Sequence, residues 1–260
     1  MPKRWTKQEE KEKRSELLQL YAYQNLSLSE VASLLGLAPQ TIFKRLKRLN
    51  IPTVPDRKIR YLNKRHDYLI PRKKTPGLAE FMGIMIGDGH ISHFQIVISL
   101  GNKEKEYAYY IVELFNNIFD ARPKIAARSS GYLDVYFGSV DLVKWFREQG
   151  LVSNKVKSQV CVPAWIMSRR DFMKRFIKGF FDTDGSIYRL KYGRQIAFRN
   201  ESAPILQALQ VMLRKLEYKP SVISSGKVYL TRKEDIQKFF REVSPANRRH
   251  IQRFRSFTKK

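Results

Sequence analysis

The chain has 260 residues, 43% of them apolar, which is enough for one large or two modest domains with a real core. Its 50 Lys and Arg against 24 Asp and Glu leave a net charge of +26, a surface field suited to a polyanion and most naturally to nucleic acid. The single cysteine, Cys161, excludes an internal disulfide and a cysteine-based zinc cluster, and no apolar run approaches a membrane span. The charged start, Met1 to Arg14, has no apolar stretch of a secretory signal, so an intracellular protein is expected.

Residues 1–53 read as a small all-α domain. Leu17, Leu18, Leu20, Tyr21 and Tyr23 belong to a helix after a charged start. Ser27 and Glu30 fit a capping box that opens a second helix through Leu28, Val31, Leu34 and Leu35. Gly36 breaks it, and Pro39 sits at the first turn of a third helix running to Leu49. Helix, glycine turn, helix is the helix-turn-helix pattern. At about 100° per residue, Ile42, Leu46 and Leu49 share the inner side of the last helix. Gln40, Thr41, Lys44, Lys47 and Arg48 share the other side. That face suits base edges and phosphates, or is the solvated side of a helical bundle.

Residues 54–75, with Pro55, Pro71 and two cationic runs, read as a basic linker. Two repeated halves follow, 76–155 and 169–260, joined by a connector at 156–168 that contains Pro163. In half one, helices are predicted near 77–87, 103–118 and 139–149, with strands around 90–100 and 123–137. In half two, helices are predicted near 171–183, 202–217 and 232–242, with strands around 186–199 and 220–231.

The repeat is visible in the residues. Phe81-Met82-Gly83-Ile84-Met85-Ile86-Gly87-Asp88-Gly89 is answered by Ile177-Lys178-Gly179-Phe180-Phe181-Asp182-Thr183-Asp184-Gly185. Downstream, Gln95-Ile96-Val97-Ile98 is answered by Gln195-Ile196-Ala197-Phe198, and Lys144-Trp145-Phe146-Arg147-Glu148 by Lys238-Phe239-Phe240-Arg241-Glu242. One Asp-Gly after an apolar run is ordinary turn chemistry. Two of them, in a duplicated chain, supply one carboxylate per copy. Gly83 and Gly179 would let two such helices approach closely. Asp88 and Asp184 would then meet at two helix carboxyl ends, where the dipoles disfavour negative charge and a divalent cation relieves the repulsion.

These paired motifs, the repeat length and the element order resemble the LAGLIDADG homing endonucleases in their single-chain, two-motif form. The resemblance covers about 76–255. It implies an α+β fold, a pseudo-twofold duplicated αββαββα domain with both motif helices at the interface. It also implies a monomeric enzyme that needs no protein partner and cuts both strands of a long, asymmetric double-stranded DNA site with Mg²⁺ or another divalent cation. By the same resemblance Asp88 and Asp184, with Gly87 and Thr183 beside them, hold the metal. Asn102 and Asn200 match the polar residue that holds water near it, or are helix N-caps, roles that are compatible. Lys155 and Arg248 match the basic residue near the attacking water. Ile86 departs from the family's earlier acid, which motif two keeps as the structural Asp182; Lys178 departs from a small residue and is expected to face away from the interface.

The alternating positions of one strand face should touch bases. The first hairpin of half one offers Gln95; that of half two is longer and offers Tyr188, Arg189, Lys191, Arg194 and Arg199, so the halves should read DNA unequally. Two other readings use the same fold: a DNA-binding regulator that does not cut, and a maturase that binds intron RNA.

Overall fold

The computed structural model describes residues 6–24, 26–53, 67–152 and 158–257. The chain divides into two compact units, Met1–Asn63 and Lys64–Lys260.

In the first unit, α1 (Lys7–Leu17) opens with a capping box between Thr6 and Glu9 and runs into one π-helical stretch, Leu18–Tyr23. A second capping box, Ser27 with Glu30, opens α2 (Leu28–Leu35). Gly36 ends α2 at φ 62°, a left-handed cap that a residue without Cβ adopts at no steric cost. Pro39 then begins α3 (Pro39–Arg48). Leu17, Tyr21, Val31, Ile42, Leu46 and Leu49 close the unit's own core. Arg48, read as part of the outer face, is drawn back to pair with Glu10 of α1.

The second unit is mixed α+β. Its first half comprises α4 (Pro76–Ile86), β1 (Gly89–Ile91), β2 (Gln95–Gly101), α5 (Lys105–Phe119), β3 (Lys124–Ala127), β4 (Tyr132–Gly138) and α6 (Val140–Glu148). A 3₁₀ turn, Ala164–Ser168, precedes the second half. That half comprises α7 (Arg170–Asp184), β5 (Gly185–Leu190), β6 (Gly193–Arg199), α8 (Ala203–Lys215), β7 (Lys227–Leu230), α9 (Lys233–Glu242) and α10 (Arg248–Ser256). The sheets are antiparallel, in the orders β1-β2-β4-β3 and β5-β6-β7. One continuous core runs through both halves, from Phe81 and Phe115 to Phe181 and Phe239.

The motif helices α4 and α7 pack against each other more extensively than any other helix pair described. A Cβ on Gly83 would lie 2.2 Å from the Phe176 carbonyl oxygen, and one on Gly179 would lie 2.1 Å from that of Glu80. Only hydrogen fits at either crossing point.

Several expectations need correction. Lys178 does not face away: it is buried in the helix interface, where a buried acid, Glu80, accepts its charge. The second hairpin of half two is not two full strands. Only Lys227–Leu230 is a strand, because the Ser221 hydroxyl accepts from Tyr229 N at 3.0 Å and replaces part of the ladder. Asn102 and Asn200 are not N-caps; Glu104 and Ser202 hold those places. α10 was not anticipated, since RRHIQRFRS carries too thin an apolar stripe to announce a helix. Residues 67–75 are not free linker. The Tyr68 hydroxyl bonds Ser139 at 2.7 Å, and Lys74 lies 5.6 Å from the Trp145 ring centroid and 5.2 Å from that of Trp165.

Candidate functional site

Asp88 directly follows Gly87, the carboxyl cap of α4, and Asp184 is the last residue of α7. The two helix ends converge: a Cβ on Gly87 would lie 2.0 Å from Thr183 Oγ1 and 3.5 Å from the Asp184 carboxylate carbon. Both aspartates are half-buried. Both therefore sit where helix dipoles are negative, and neither is shut away from a ligand.

Asn200 donates from Nδ2 to Asp184 Oδ2 at 2.9 Å, so it orients that carboxylate directly. Its own Oδ1 accepts from Ser202 N at 2.9 Å, which fixes the amide's orientation. Asn102 does not mirror it. Among the described residues no hydrogen bond joins Asn102 to Asp88; Asn102 lines a cavity of about 530 Å³ with Lys103, Glu104, Tyr107, Asn247 and Arg249.

Asp182 serves the architecture. It accepts from Ala246 N at 2.8 Å and Asn247 N at 3.0 Å, tying the chain before α10 to the motif helix. Burial pushes its carboxyl up to about 7, against the pull of those two N–H donors. Asn247 caps α10 and donates to the Asp182 carbonyl at 3.0 Å. From that cap, successive residues rotate by about 100°. Arg248 therefore turns outward and pairs with Glu106 at 2.6 Å, both well exposed. Arg249 turns inward and donates to the Thr183 carbonyl at 2.9 Å. The basic residue beside the second motif is thus Arg249 rather than Arg248. Thr183 has protein partners for both its oxygens. Arg249 occupies its carbonyl, and its hydroxyl donates back to Gly179 O at 3.1 Å and Phe180 O at 3.0 Å. Lys155 lies outside the described residues.

His250 is fully buried, its ring 4.4 Å from that of Phe181. Burial, and then the neighbouring Arg249 charge, push it down to about 3. The folded protein holds this imidazole neutral while the unfolded chain protonates it near 6.5, so its stability contribution is lost as pH falls from 6.5 towards 3. Asp182 acts oppositely: its folded value is raised, and its contribution is lost as pH rises from 3.8 to about 7. The difference between His250→Phe and its parent isolates the histidine. Relative to the parent, the variant should gain about 1.4 kcal/mol per pH unit below about 6.5, measured by urea unfolding at pH 7, 6 and 5.

Sheet register sorts the candidate DNA contacts. In β5 and β6, Tyr188 faces Gln195 and Ile187 faces Ile196 across the pair. Ile187, Ile196 and Phe198 are core, so Tyr188, Gln195, Ala197 and Arg199 point away from it. Arg189 and Arg194 fall on the core parity, at its rim; Arg194 donates to the Phe257 carbonyl. The period of two thus sets them on the other side of the hairpin from Tyr188, Gln195 and Arg199. Lys191 sits in the hairpin turn, 5.1 Å from the Tyr192 ring centroid. Lys227 and Tyr229 of β7 join the outward face, paired with Arg199 and Ala197. In half one the same parity turns out Gln95, Val97, Ser99, Tyr136, Asp134 and Lys124. Asp134 there is matched by Arg128, which also donates to Ser99 Oγ at 3.3 Å. The alternation of Lys227, Tyr229 and of Lys124, Ala126 is the sequence signal for this part of the face.

In the first unit, Gln40, Lys44 and Lys47 are exposed on α3 and Thr41 is half-buried. Ile42, Leu46 and Leu49 are buried behind them. Among the described residues no helix is long and apolar enough to cross a membrane, and no cluster of three or more His, Cys, Asp or Glu could by itself hold a metal ion.

Residues 171–244 match the family model of the LAGLIDADG-like domain. Among curated proteins, the replication factor C small subunit of Methanocaldococcus jannaschii is 29% identical over 133 residues, which is 51% of this chain and 7% of that protein. The chain thus matches only a small part of that relative's length. Among solved structures, the N-terminal LAGLIDADG domain of DUF199/WhiA aligns with TM-score 0.48 at 14% identity, over 65% of this chain and 80% of that one. I-DmoI in complex with DNA and Mn aligns with TM-score 0.46 at 16% identity, over 65% and 96%.

Proposed function

We propose that this chain, whose residues 171–244 match the LAGLIDADG-like domain, is a LAGLIDADG-type site-specific endonuclease that makes a metal-dependent double-strand break in duplex DNA. The observation that carries the reading is the convergence of the carboxyl ends of two glycine-crossed helices, one followed by Asp88 and the other ending in Asp184. Two carboxylates at two negative helix ends form a hard-oxygen donor set that fits Mg²⁺ or a similar cation. Such an ion, when bound, activates water for attack on phosphate and stabilises the departing oxygen. The protein's own part is positional. Asn200 fixes the Asp184 carboxylate, and Arg249 fixes the helix end from which that carboxylate projects.

The outward strand positions, Gln95 with Lys124 on one sheet and Tyr188, Arg199 and Lys227 on the other, are the groove readers. They differ between halves, so the target is asymmetric. The α3 face of Gln40, Thr41, Lys44 and Lys47 is a second, helix-turn-helix contact. A randomised duplex library incubated with the protein and Mg²⁺, then sequenced at its cut ends, should return one long non-palindromic site. A library that is bound and never cut supports instead a DNA-binding regulator on this fold.

Two further outcomes follow. With a net charge of +26, affinity for duplex DNA should fall steeply with salt, by about 0.9 log units per log unit of salt for each phosphate contacted. A titration that is flat between 50 and 200 mM salt, the range over which multi-phosphate binders lose about 10³ or more, contradicts this. Second, a chain beginning at Asp67 keeps Tyr68 and Lys74, which pack on the repeat pair, and drops the first unit. It should fold and cut, but bind more weakly and protect a shorter length of DNA, because tethered modules raise each other's effective concentration. Equal footprints and equal affinity for both chains would remove the first unit from DNA recognition.

A further inference from the structure

The contact between α4 and α7 holds a charge cluster that the pseudo-twofold repeat does not share. Glu80 of α4 is fully buried. Its Oε1 lies 3.0 Å from Lys178 Nζ and its Oε2 lies 2.9 Å from Arg175 Nη2, both on α7. Tyr110 of α5 donates to Glu80 Oε1, and Lys178 Nζ donates to Tyr110 Oη at 2.6 Å. The acid comes from half one and both cations come from half two. The Arg175 contact is ionic only, since Glu80 Oε2 has no aligned hydrogen bond.

The two crossing glycines define what each of these residues corresponds to in the other half. Gly83 meets the Phe176 carbonyl where Gly179 meets that of Glu80, so Glu80 and Phe176 are equivalent positions. By the same alignment Lys178 is equivalent to Met82, and Arg175 to Ala79. Phe176, Met82 and Ala79 are all buried. One side of the interface is therefore charged and its pseudosymmetric counterpart is apolar.

This asymmetry has a consequence for assembly. Two copies of half one, packed through α4, would bury two Glu80 carboxylates against Met82 and Ala79 with no cation. Two copies of half two, packed through α7, would bury Lys178 against Phe176 with no acid. An ion pair of this kind adds little over an apolar pair of the same shape, but an unpaired buried charge is strongly unfavourable. The cluster thus discriminates by what it rejects. We propose that Glu80, Arg175 and Lys178 form a pairing code: half one accepts half two, and like halves from a second copy of the chain are refused. The code concerns the interface alone and holds whether or not the chain cuts DNA.

Full-length variants test it. Glu80→Lys makes both halves cationic at the cluster; Arg175→Gln with Lys178→Glu makes both anionic. Each variant should lower the thermal unfolding midpoint by about 10 °C. The triple variant, Glu80→Lys with Arg175→Gln and Lys178→Glu, should regain most of that loss, because acid and cation face each other again. The two defective variants, refolded together in equal amounts, should exchange halves and give a species of twice the monomer mass by light scattering. Neither variant refolded alone should do so. A triple variant no more stable than its parents overturns the code. So does a mixture that stays monomeric, or a dimer formed by one variant alone.

Discussion

Asp88→Asn and Asp184→Asn should each abolish double-strand cleavage, with a loss on the order of a thousand-fold or more, while DNA binding largely survives. An amide is a poor ligand for a hard cation, and a metal ion contributes several kcal/mol to stabilising the charge of the transition state. Binding should persist because the proposed phosphate and base contacts are made by other side chains, on the strand faces and on α3, rather than by the two carboxylates. The substitution is nearly isosteric, so the fold is retained. At position 184 there is a second expectation. Asn200 Nδ2 donates to Asp184 Oδ2, and an asparagine at 184 can keep that bond through its own oxygen. Lost cleavage in Asp184→Asn therefore reports the missing charge rather than a misplaced side chain. Asn200→Ala should give a smaller loss, on the order of ten- to a hundred-fold, as expected of a residue that orients a ligand. Gel mobility shift and plasmid linearisation on the same samples separate binding from cutting. Full cutting by either aspartate variant sinks the assignment.

How much of this was legible in the sequence depends on what each feature rests on. The motif helices were legible because an apolar run with a glycine, closed by Asp-Gly and repeated 96 residues later, has few structural solutions. The capping box at Ser27 and the break at Gly36 were legible because they are local chemistry. Lys178 was misread because its surroundings are not local: its partners Glu80 and Tyr110 lie on two other helices. A lysine in an apolar run reads as a misfit until its acid is found. Arg249 is not legible beside Arg248 because a match to the first half does not reveal the helix phase that follows Asn247. The reader face of half two was half-legible. Period-two alternation is legible, but which parity faces the core depends on register, and that puts Arg189 and Arg194 on the core parity.

The largest structural effect is expected at the helix crossing. Gly83→Ala and Gly179→Ala should each destabilise the second unit by about 3 kcal/mol, the upper end of ordinary overpacking. The reason is the identity of the obstructing atom. A Cβ at position 83 would lie 2.2 Å from Phe176 O and 2.8 Å from Phe180 N; one at 179 would lie 2.1 Å from Glu80 O and 3.0 Å from Ile84 N. These are backbone atoms of the facing helix, and no rotamer change moves them. The helices must separate, and the same separation draws Gly87 and Asp88 away from Thr183 and Asp184. Cleavage should then fall further than the lost stability alone accounts for, even at a temperature where the variants are folded. Gly77→Ala, nearer the start of the same helix, is the control. The nearest atoms to its added Cβ would be Ile118 and Leu114 side-chain carbons at 3.7 Å, an ordinary contact. It should be neutral or slightly stabilising, since alanine is the better helix former. Scanning calorimetry should place the Gly83→Ala and Gly179→Ala transitions about 6–12 °C below the parent, and that of Gly77→Ala at or above it. If alanine at 83 or 179 is tolerated as well as at 77, the two motif helices do not meet at these glycines.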